Sequence, residues 1–159
     1  TVLDNLLLGR HRHRRTQFWQ EIVFLPVVRR QELEDREKVE EIIDFLDLQH
    51  YREQFVRSLP YGVRKVVELA RALATQPELL MLDEPSSGLN VEETRDMSFW
   101  IRDIRQQFGI TLLMVEHDMK LVADVSDRVL ALNDGRVLTE GSPSSVQGNS
   151  DVIAAYLGE

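Results

Sequence analysis

Two adjacent carboxylates, Asp83 and Glu84, directly follow the apolar run 79–82. A run that is apolar at every position is typical of a strand covered on both faces of a sheet. Ligands of α/β sheets bind at the carboxyl ends of the parallel strands, where this pair would lie. In a nucleotide hydrolase, Asp83 would hold Mg²⁺ directly or through water, and Glu84 would polarise the attacking water. The alternative is that both carboxylates only cap the next turn.

A histidine follows the next apolar run. Glu116-His117-Asp118 comes directly after Thr111–Val115, which we predict to be a second buried strand. Because parallel strands end at the same sheet edge, we expect His117 beside Asp83 and Glu84, where it can reach a γ-phosphate or the attacking water. The alternative is a capping or core histidine, which is the more common role of an isolated histidine.

A glycine at a predicted helix start is the third candidate. Ser58-Leu59-Pro60-Tyr61-Gly62 leads into a helix predicted over residues 60–75. Proline suits the first turn because its missing N–H would have no acceptor inside the helix. The N–H groups at a helix N-terminus form a ready anion site, although the glycine can also be of no consequence.

The elements that must position these residues change character near Pro77. Before it, the apolar periodicity is helical, most clearly over residues 31–48. After it, apolar runs alternate with helical patterns, which indicates an α/β fold with a mainly parallel sheet. The predicted order is strand 79–82, helix 91–107, strand 111–115, helix 120–125, strands 128–132 and 136–139 joined by a turn at Asn133-Asp134-Gly135, a loose stretch 142–150 and a tail helix 152–157.

Composition limits the class of protein. The chain has 27 acidic and 19 basic residues, a net charge of −8 and no cysteine. The acidic balance disfavours a nucleic-acid-coating protein, and the lack of cysteine excludes disulfides and thiolate chemistry. Residues 1–30 differ, because they hold six arginines against two acidic residues. We interpret the cluster of Arg10, Arg12, Arg14 and Arg15 as a solvated helix end, with a contact to lipid headgroups or an acidic partner as the alternative.

Five motifs in this order resemble the ATP-binding subunit of ABC transporters. Leu59-Pro60-Tyr61-Gly62-Val63 stands where that family has its signature loop, and residues 68–73 are similar to the helix that follows the loop. Residues 79–84 resemble its Walker B strand, Ser87-Gly88-Leu89-Asn90 its D-loop, and His117 its switch histidine. The first six and the last nine residues are similar to the branched-chain amino acid importers in particular.

The resemblance implies a role for each matching residue. Asp83 would support Mg²⁺, Glu84 would be the general base, and His117 would sense the γ-phosphate of ATP. The signature segment would close on an ATP held by the second ATP-binding subunit of a homo- or heterodimer, and the D-loop segment would link the two sites. Other implied partners are membrane permease subunits and, indirectly, a solute-binding protein. The subunit would power amino-acid import from the cytoplasmic face of the inner membrane, as a peripheral protein.

The resemblance also implies an incomplete subunit with an incomplete RecA-like P-loop NTPase core. Residues 1–76 would be the helical signature subdomain, 77–141 the C-terminal half of the catalytic core, and 142–159 a tail helix. No Gly-x-x-x-x-Gly-Lys-[Ser/Thr] P-loop (Walker A) occurs in the 159 residues, and the Q-loop is missing too. Because phosphate positioning is most of phosphoryl-transfer catalysis, we expect this chain alone to be inactive. The missing P-loop strand would leave sheet edges unpaired, which predicts poor solubility or a non-native dimer.

The signature segment departs from the family pattern. Pro60 replaces the usual serine and offers neither a hydroxyl nor an N–H, Tyr61 replaces the first glycine, and Val63 replaces a polar residue. Contact with phosphate would therefore depend on the backbone amides of Tyr61 and Gly62. Asn90 replaces the common D-loop aspartate and keeps its size without its charge.

Two other functions are compatible with the same motifs. One is a chromosome-maintenance or repair ATPase that binds DNA, although such relatives place a long coiled coil before the signature, and no sustained heptads occur here. The other is a non-catalytic interaction module, for which Glu84→Gln would leave ATP turnover in a completed protein unchanged.

Overall fold

Residues 1–13 and 26–156 are described by a computed structural model. They form two units, one of residues 1–81 with 109–113 and the other of residues 82–108 with those from 114 onwards. Arg14 and Arg15 of the basic cluster, and Leu157 at the end of the predicted tail helix, lie outside the described residues.

Three helices make up most of the first unit: α1 (Val2–Arg10), α2 (Pro26–Phe45) and α3 (Tyr61–Ala74), with 3₁₀ turns at His11–His13, Gln49–Tyr51 and Val56–Ser58. Thr1 caps α1, since its hydroxyl oxygen accepts a hydrogen bond from the Asp4 N–H at 3.2 Å. Each helix buries one apolar face, and the fully enclosed side chains are Val2, Leu6, Val39, Ile43, Ala70 and Ala74. This apolar burial holds the helical unit together.

Helices α1 and α3 approach each other closely at Gly9. A Cβ atom on Gly9 would lie 2.6 Å from the carbonyl oxygen of Arg71 and 2.9 Å from the Cβ of Ala74. Non-bonded carbon atoms prefer separations of about 3.5–4.0 Å, so any larger residue would push the two helices apart. Gly9 is therefore what permits this helix pair to pack.

Arg10 does not belong to a solvated helix end, and that interpretation is wrong for this residue. Its side chain is 10% exposed, and its Nε lies 2.8 Å from Oδ1 of Asp35, which is itself largely buried. Its Nη1 also donates to the carbonyl oxygen of Ala74 at 3.3 Å. Because a buried charge needs a partner, Arg10 serves to join α1 to α2 and α3 rather than to face water.

Two parallel strands, β1 (Leu79–Asp83) and β2 (Thr111–Val115), form one sheet. At their amino ends the Thr111 N–H donates to the carbonyl oxygen of Glu78 at 3.0 Å, and at their carboxyl ends the Glu84 N–H donates to that of Val115 at 2.9 Å. Helix α4 (Val91–Phe108) connects the two strands. The predicted strand–helix–strand order and the α/β fold class are confirmed.

The two strands are not covered on both faces, so that expectation is wrong. Leu80 is 5% exposed, but Leu79 and Met81 on the other face of β1 are 51% and 68% exposed. Leu113 of β2 is 52% exposed as well. Among the described residues, the sheet buries one face and leaves the other face apolar and open to solvent.

The rest of the second unit follows β2. Helix α5 (Met119–Val125) leads to an antiparallel hairpin of β3 (Val129–Asn133) and β4 (Arg136–Gly141). Its turn has positive φ at Asp134 (49°) and Gly135 (74°), which matches the predicted Asn-Asp-Gly turn. Helices α6 (Pro143–Gln147) and α7 (Ser150–Tyr156) complete the unit, with Val146 and Val152 packed on Ala131.

The stretch 142–150 is not loose, contrary to expectation. Ser142 caps α6 by accepting a hydrogen bond from the Ser145 N–H at 3.3 Å, and Pro143 occupies the first turn. A helix of five residues is too short to show apolar periodicity, so the sequence pattern missed it. None of the helices within residues 1–13 and 26–156 is both long and apolar enough to cross a membrane.

Candidate active site

Asp83 and Glu84 stand at the carboxyl end of β1, and both are exposed. Glu84 adopts a left-handed backbone conformation with φ of 45°. Such a conformation costs a non-glycine residue about 1–3 kcal/mol and persists only where neighbouring hydrogen bonds enforce it. Here the Glu84 N–H donates to Val115 at 2.9 Å, and the Glu84 carbonyl oxygen accepts from the Ser87 N–H at 3.1 Å. The chain thus turns sharply at the carboxylate, away from the strand direction.

His117 follows β2 and lies beside Glu84. Its Nδ1 is 3.7 Å from Oε1 of Glu84, and the side chains are 67% and 51% exposed. This separation exceeds a direct hydrogen bond, and because both side chains are exposed, a water or substrate group can reach the pair from the solvent side. His117 is neither a core residue nor a helix cap. The cap of α5 is Asp118, whose Oδ1 accepts from Lys120 and Leu121 at 2.9 and 3.1 Å.

Glu116 is the residue of this region to which the sequence pattern assigned no role. Its side chain is fully buried. Oε1 accepts hydrogen bonds from the N–H and the hydroxyl of Ser86 at 2.8 and 2.6 Å. Oε2 accepts from the N–H groups of His117 and Asp118 at 3.0 and 3.4 Å. An acidic residue within a polar tripeptide carries no sequence signal of burial, so only the structure distinguishes the buried Glu116 side chain from the exposed His117 that follows it.

The segment Ser87-Gly88-Leu89-Asn90 connects Glu84 to α4. Gly88 has φ of 77°, a conformation that favours glycine, and Leu89 N–H donates to the carbonyl oxygen of Ser86 at 3.1 Å. Asn90 caps α4, because its Oδ1 accepts from Glu92 and Glu93 at 2.9 and 3.0 Å. An amide oxygen is sufficient for this cap, which explains structurally why asparagine serves at this position.

The signature segment lies in the helical unit. Leu59 is buried, Pro60 precedes α3 as its N-cap, and Tyr61 and Gly62 are the first two helical residues. The N–H groups of a helix's first turn point out of its end, which suits the anion role expected of these two amides. Val63 is half-buried, and Gly62 is buried.

Tyr61 is 46% exposed and has cations on its ring. The Arg64 guanidinium carbon lies 5.6 Å from the ring centroid, and the Lys65 ammonium nitrogen lies 6.0 Å from it. Both distances are within the range of a cation–π contact. Two cationic side chains therefore lie on the Tyr61 ring at the start of α3.

Asp83 can support a metal ion only together with other ligands. Within the described part of the chain, no three His, Asp or Glu side chains are grouped so as to hold a metal. Mg²⁺ commonly keeps several waters and takes one or two carboxylates plus substrate phosphates. A single exposed carboxylate at a strand end fits that donor set.

The predicted site residues fall into two units. Asp83, Glu84, His117 and the segment 87–90 belong to one unit. Leu59, Pro60, Tyr61, Gly62 and Val63 belong to the other unit.

Comparison with known proteins gives family matches at both ends of the chain. Residues 4–87 match the family described as ABC transporter, and residues 136–159 match one described as branched-chain amino acid ATP-binding cassette transporter. Over all 159 residues the chain is 40% identical to the high-affinity branched-chain amino acid transport ATP-binding protein BraF of Pseudomonas aeruginosa. It is 38% identical to LivG of Escherichia coli, a protein of the same description. The chain spans 62% of the length of each of these relatives.

Solved structures agree with this assignment of the fold. The ADP conformation of MJ1267, an ATP-binding cassette of an ABC transporter, superposes with a TM-score of 0.79 at 29% identity, covering 100% of this chain and 63% of that one. An inward-facing metal-chelate type ABC transporter gives the same TM-score at 24% identity, covering 99% and 58% of the two chains, and supports the fold alone.

Proposed function

The chain belongs to the ABC transporter family, and on that premise we propose that it carries the hydrolytic carboxylate and the signature segment of an ATPase subunit that powers import of branched-chain amino acids through a membrane permease. The single observation that supports hydrolysis best is the Glu84–His117 pair at the ends of two neighbouring parallel strands. The match of residues 136–159 to the branched-chain importer family supports the solute class.

Glu84 is the general base of the proposed reaction. Its carboxylate takes a proton from water while the water oxygen bonds to the γ-phosphorus, the bond from that phosphorus to the bridging oxygen breaks, and ADP and phosphate leave. Glu84 lies at a left-handed turn directly after the end of β1, the sheet edge at which ligands of α/β folds bind. His117, beside Glu84, orients the γ-phosphate and the attacking water.

Asp83 would hold Mg²⁺, directly or through water, and the ion would neutralise charge on the phosphates of ATP. We also propose the subdomain division 1–76, 77–141 and 142–159. The amides of Tyr61 and Gly62 would contact an ATP bound by a second ATP-binding subunit, and residues 87–90 would lie at that interface. The assembly would sit peripherally on the cytoplasmic face of the inner membrane, with permease subunits as direct partners and a solute-binding protein as an indirect one.

ATP turnover in this fold requires a P-loop, and none occurs in these 159 residues. A turnover assay must therefore supply one from a relative. We therefore design the test around a fusion of this chain to the part of BraF that it does not cover, here called the BraF-extended chain. We expect the BraF-extended chain to release phosphate from MgATP and the 159-residue chain to release none. Equal and negligible turnover by both proteins, with ATP bound by the fusion, would contradict the proposed function and favour a non-catalytic module.

A further inference from the structure

Glu116 fastens the loop that follows β1 to the loop that follows β2. We propose that Glu116 is a positioning residue for hydrolysis, which sets the place of His117 relative to Glu84 without touching the nucleotide. This inference rests on the proposed function. It assigns a role to Glu116, which lies outside the motifs that support that function. We call Glu116, Ser86 and the N–H groups of His117 and Asp118 the Glu116 clamp.

The contacts of the clamp connect both halves of the candidate site. Oε1 accepts two hydrogen bonds from Ser86, two residues after Glu84, and Ser86 is itself 8% exposed. Oε2 accepts from the N–H of His117, so the backbone of the switch histidine is bonded to the same carboxylate. With Ser87 bonded to the Glu84 carbonyl oxygen at 3.1 Å, the two loops are joined at several points around the Glu84–His117 pair.

The chemistry of the clamp requires a carboxylate. The four hydrogen bonds to Glu116 all come from N–H or O–H donors, and the His117 Nδ1 lies 3.9 Å from Oε2. An ionised carboxylate is acceptor-only with room for about four hydrogen bonds. A buried charge that receives several charge-assisted hydrogen bonds is well compensated. The amide of glutamine has one acceptor oxygen and two N–H donors, so it must turn donors toward one of the two loops. Glu116→Gln should therefore release one loop while keeping the shape of the side chain.

The consequence for catalysis follows from distance. The clamp joins the His117 backbone to Ser86, two residues after Glu84, and His117 Nδ1 lies 3.7 Å from Glu84 Oε1. A displacement of about 1 Å in a reacting geometry can cost about 100-fold in rate. The Glu116 side chain is fully buried and directly precedes His117, so MgATP does not contact it. Replacing Glu116 should therefore affect the rate of hydrolysis rather than the binding of MgATP.

The test compares Glu116→Gln with the unsubstituted BraF-extended chain. We expect kcat to fall about 10- to 100-fold with KM for MgATP within about twofold. Hydrogen–deuterium exchange, resolved to single amides, should become about tenfold faster at Ser86 or at His117, the equivalent of one lost hydrogen bond. Asp127→Asn is the matched control, because it changes an exposed carboxylate of the same unit to an amide, and both readouts should stay unchanged.

A second variant keeps the test decisive if Glu116→Gln fails to fold. Ser86→Ala removes only the hydroxyl donor and should lower kcat about three- to tenfold. The kcat of the double variant Glu116→Gln, Ser86→Ala should lie within about twofold of that of Glu116→Gln alone, since both changes break the same contact. Unchanged kcat in Glu116→Gln, with or without a lower melting temperature, would show that Glu116 is only structural and would overturn the inference. If Glu116→Gln does not fold, unchanged kcat in Ser86→Ala would overturn it.

The two levels of the proposal fail separately. If the unsubstituted fusion does not hydrolyse ATP, the proposed function fails and the catalytic role of Glu116 fails with it. If that fusion hydrolyses ATP and Glu116→Gln does so at the same rate, the proposed function stands and only the clamp is refuted. Unchanged amide exchange in Glu116→Gln would also refute it, whatever the activity.

Discussion

His117 Nδ1 lies 3.7 Å from Oε1 of Glu84, and both side chains are open to solvent. We expect His117→Ala in the BraF-extended chain to lower kcat about 100-fold, because the group that orients the γ-phosphate and the attacking water is removed. The free energy of unfolding should change by less than about 0.5 kcal/mol, since the replaced side chain is 67% exposed. Phosphate release and urea denaturation measure the two quantities. A large loss of stability with an unchanged kcat would mean that His117 stabilises the fold and takes no part in the reaction.

Arg10 and Asp35 form a largely buried ion pair at 2.8 Å. Arg10→Ala should destabilise the helical unit by about 2–4 kcal/mol, because it leaves a carboxylate that is 16% exposed without its cation. Arg30→Ala is the control, since the Arg30 and Glu34 side chains are 83% and 62% exposed and their pair should contribute less than about 0.5 kcal/mol. Urea denaturation of the BraF-extended variants measures both changes.

The Arg10→Ala, Asp35→Ala double variant completes this comparison. It should be less destabilised than the sum of the single variants, because no unpaired charge remains. Additive losses would mean that the two residues act independently, in conflict with the hydrogen bond between them.

The exposed apolar face of the β1–β2 sheet should make the 159-residue chain associate with itself. Leu79, Met81 and Leu113 are each more than half exposed. Their strands form a sheet of only two strands within residues 1–13 and 26–156, which leaves backbone groups at its edges without a strand partner there. We expect sedimentation velocity to show dimers or larger species, and Met81→Thr to shift the distribution toward monomer. Leu80→Thr, on the buried face, should instead destabilise the fold. A monodisperse monomer of the unsubstituted chain would contradict this prediction.

Local sequence patterns predicted the elements that carry the site. Apolar runs located β1 and β2, and Glu84 and His117, which follow them, are close together because parallel strands end at one edge. The Asn-Asp-Gly turn was equally readable, since few residues accept positive φ. These features depend on residues that are adjacent in the sequence, so a local sequence pattern is sufficient to predict them.

Burial and long-range pairing could not be read in this way. Arg10 looked like part of an exposed basic cluster, but its partner Asp35 is 25 residues away. Glu116 looked like any surface acid, although its four donors come from two separate loops. The sequence also failed to predict the exposed face of β1. An apolar strand shows that both of its faces can be buried, but it does not show which other residues cover them.

The central claim is that Glu84 is the base that activates water for ATP hydrolysis. The most direct measurement is phosphate release by the BraF-extended chain with Glu84→Gln, compared with Glu140→Gln as a carboxylate-to-amide control in the same unit. We predict a loss in kcat of about 100- to 10,000-fold for Glu84→Gln with MgATP binding retained, and no change for the control. Turnover by Glu84→Gln at the unsubstituted rate would contradict the account.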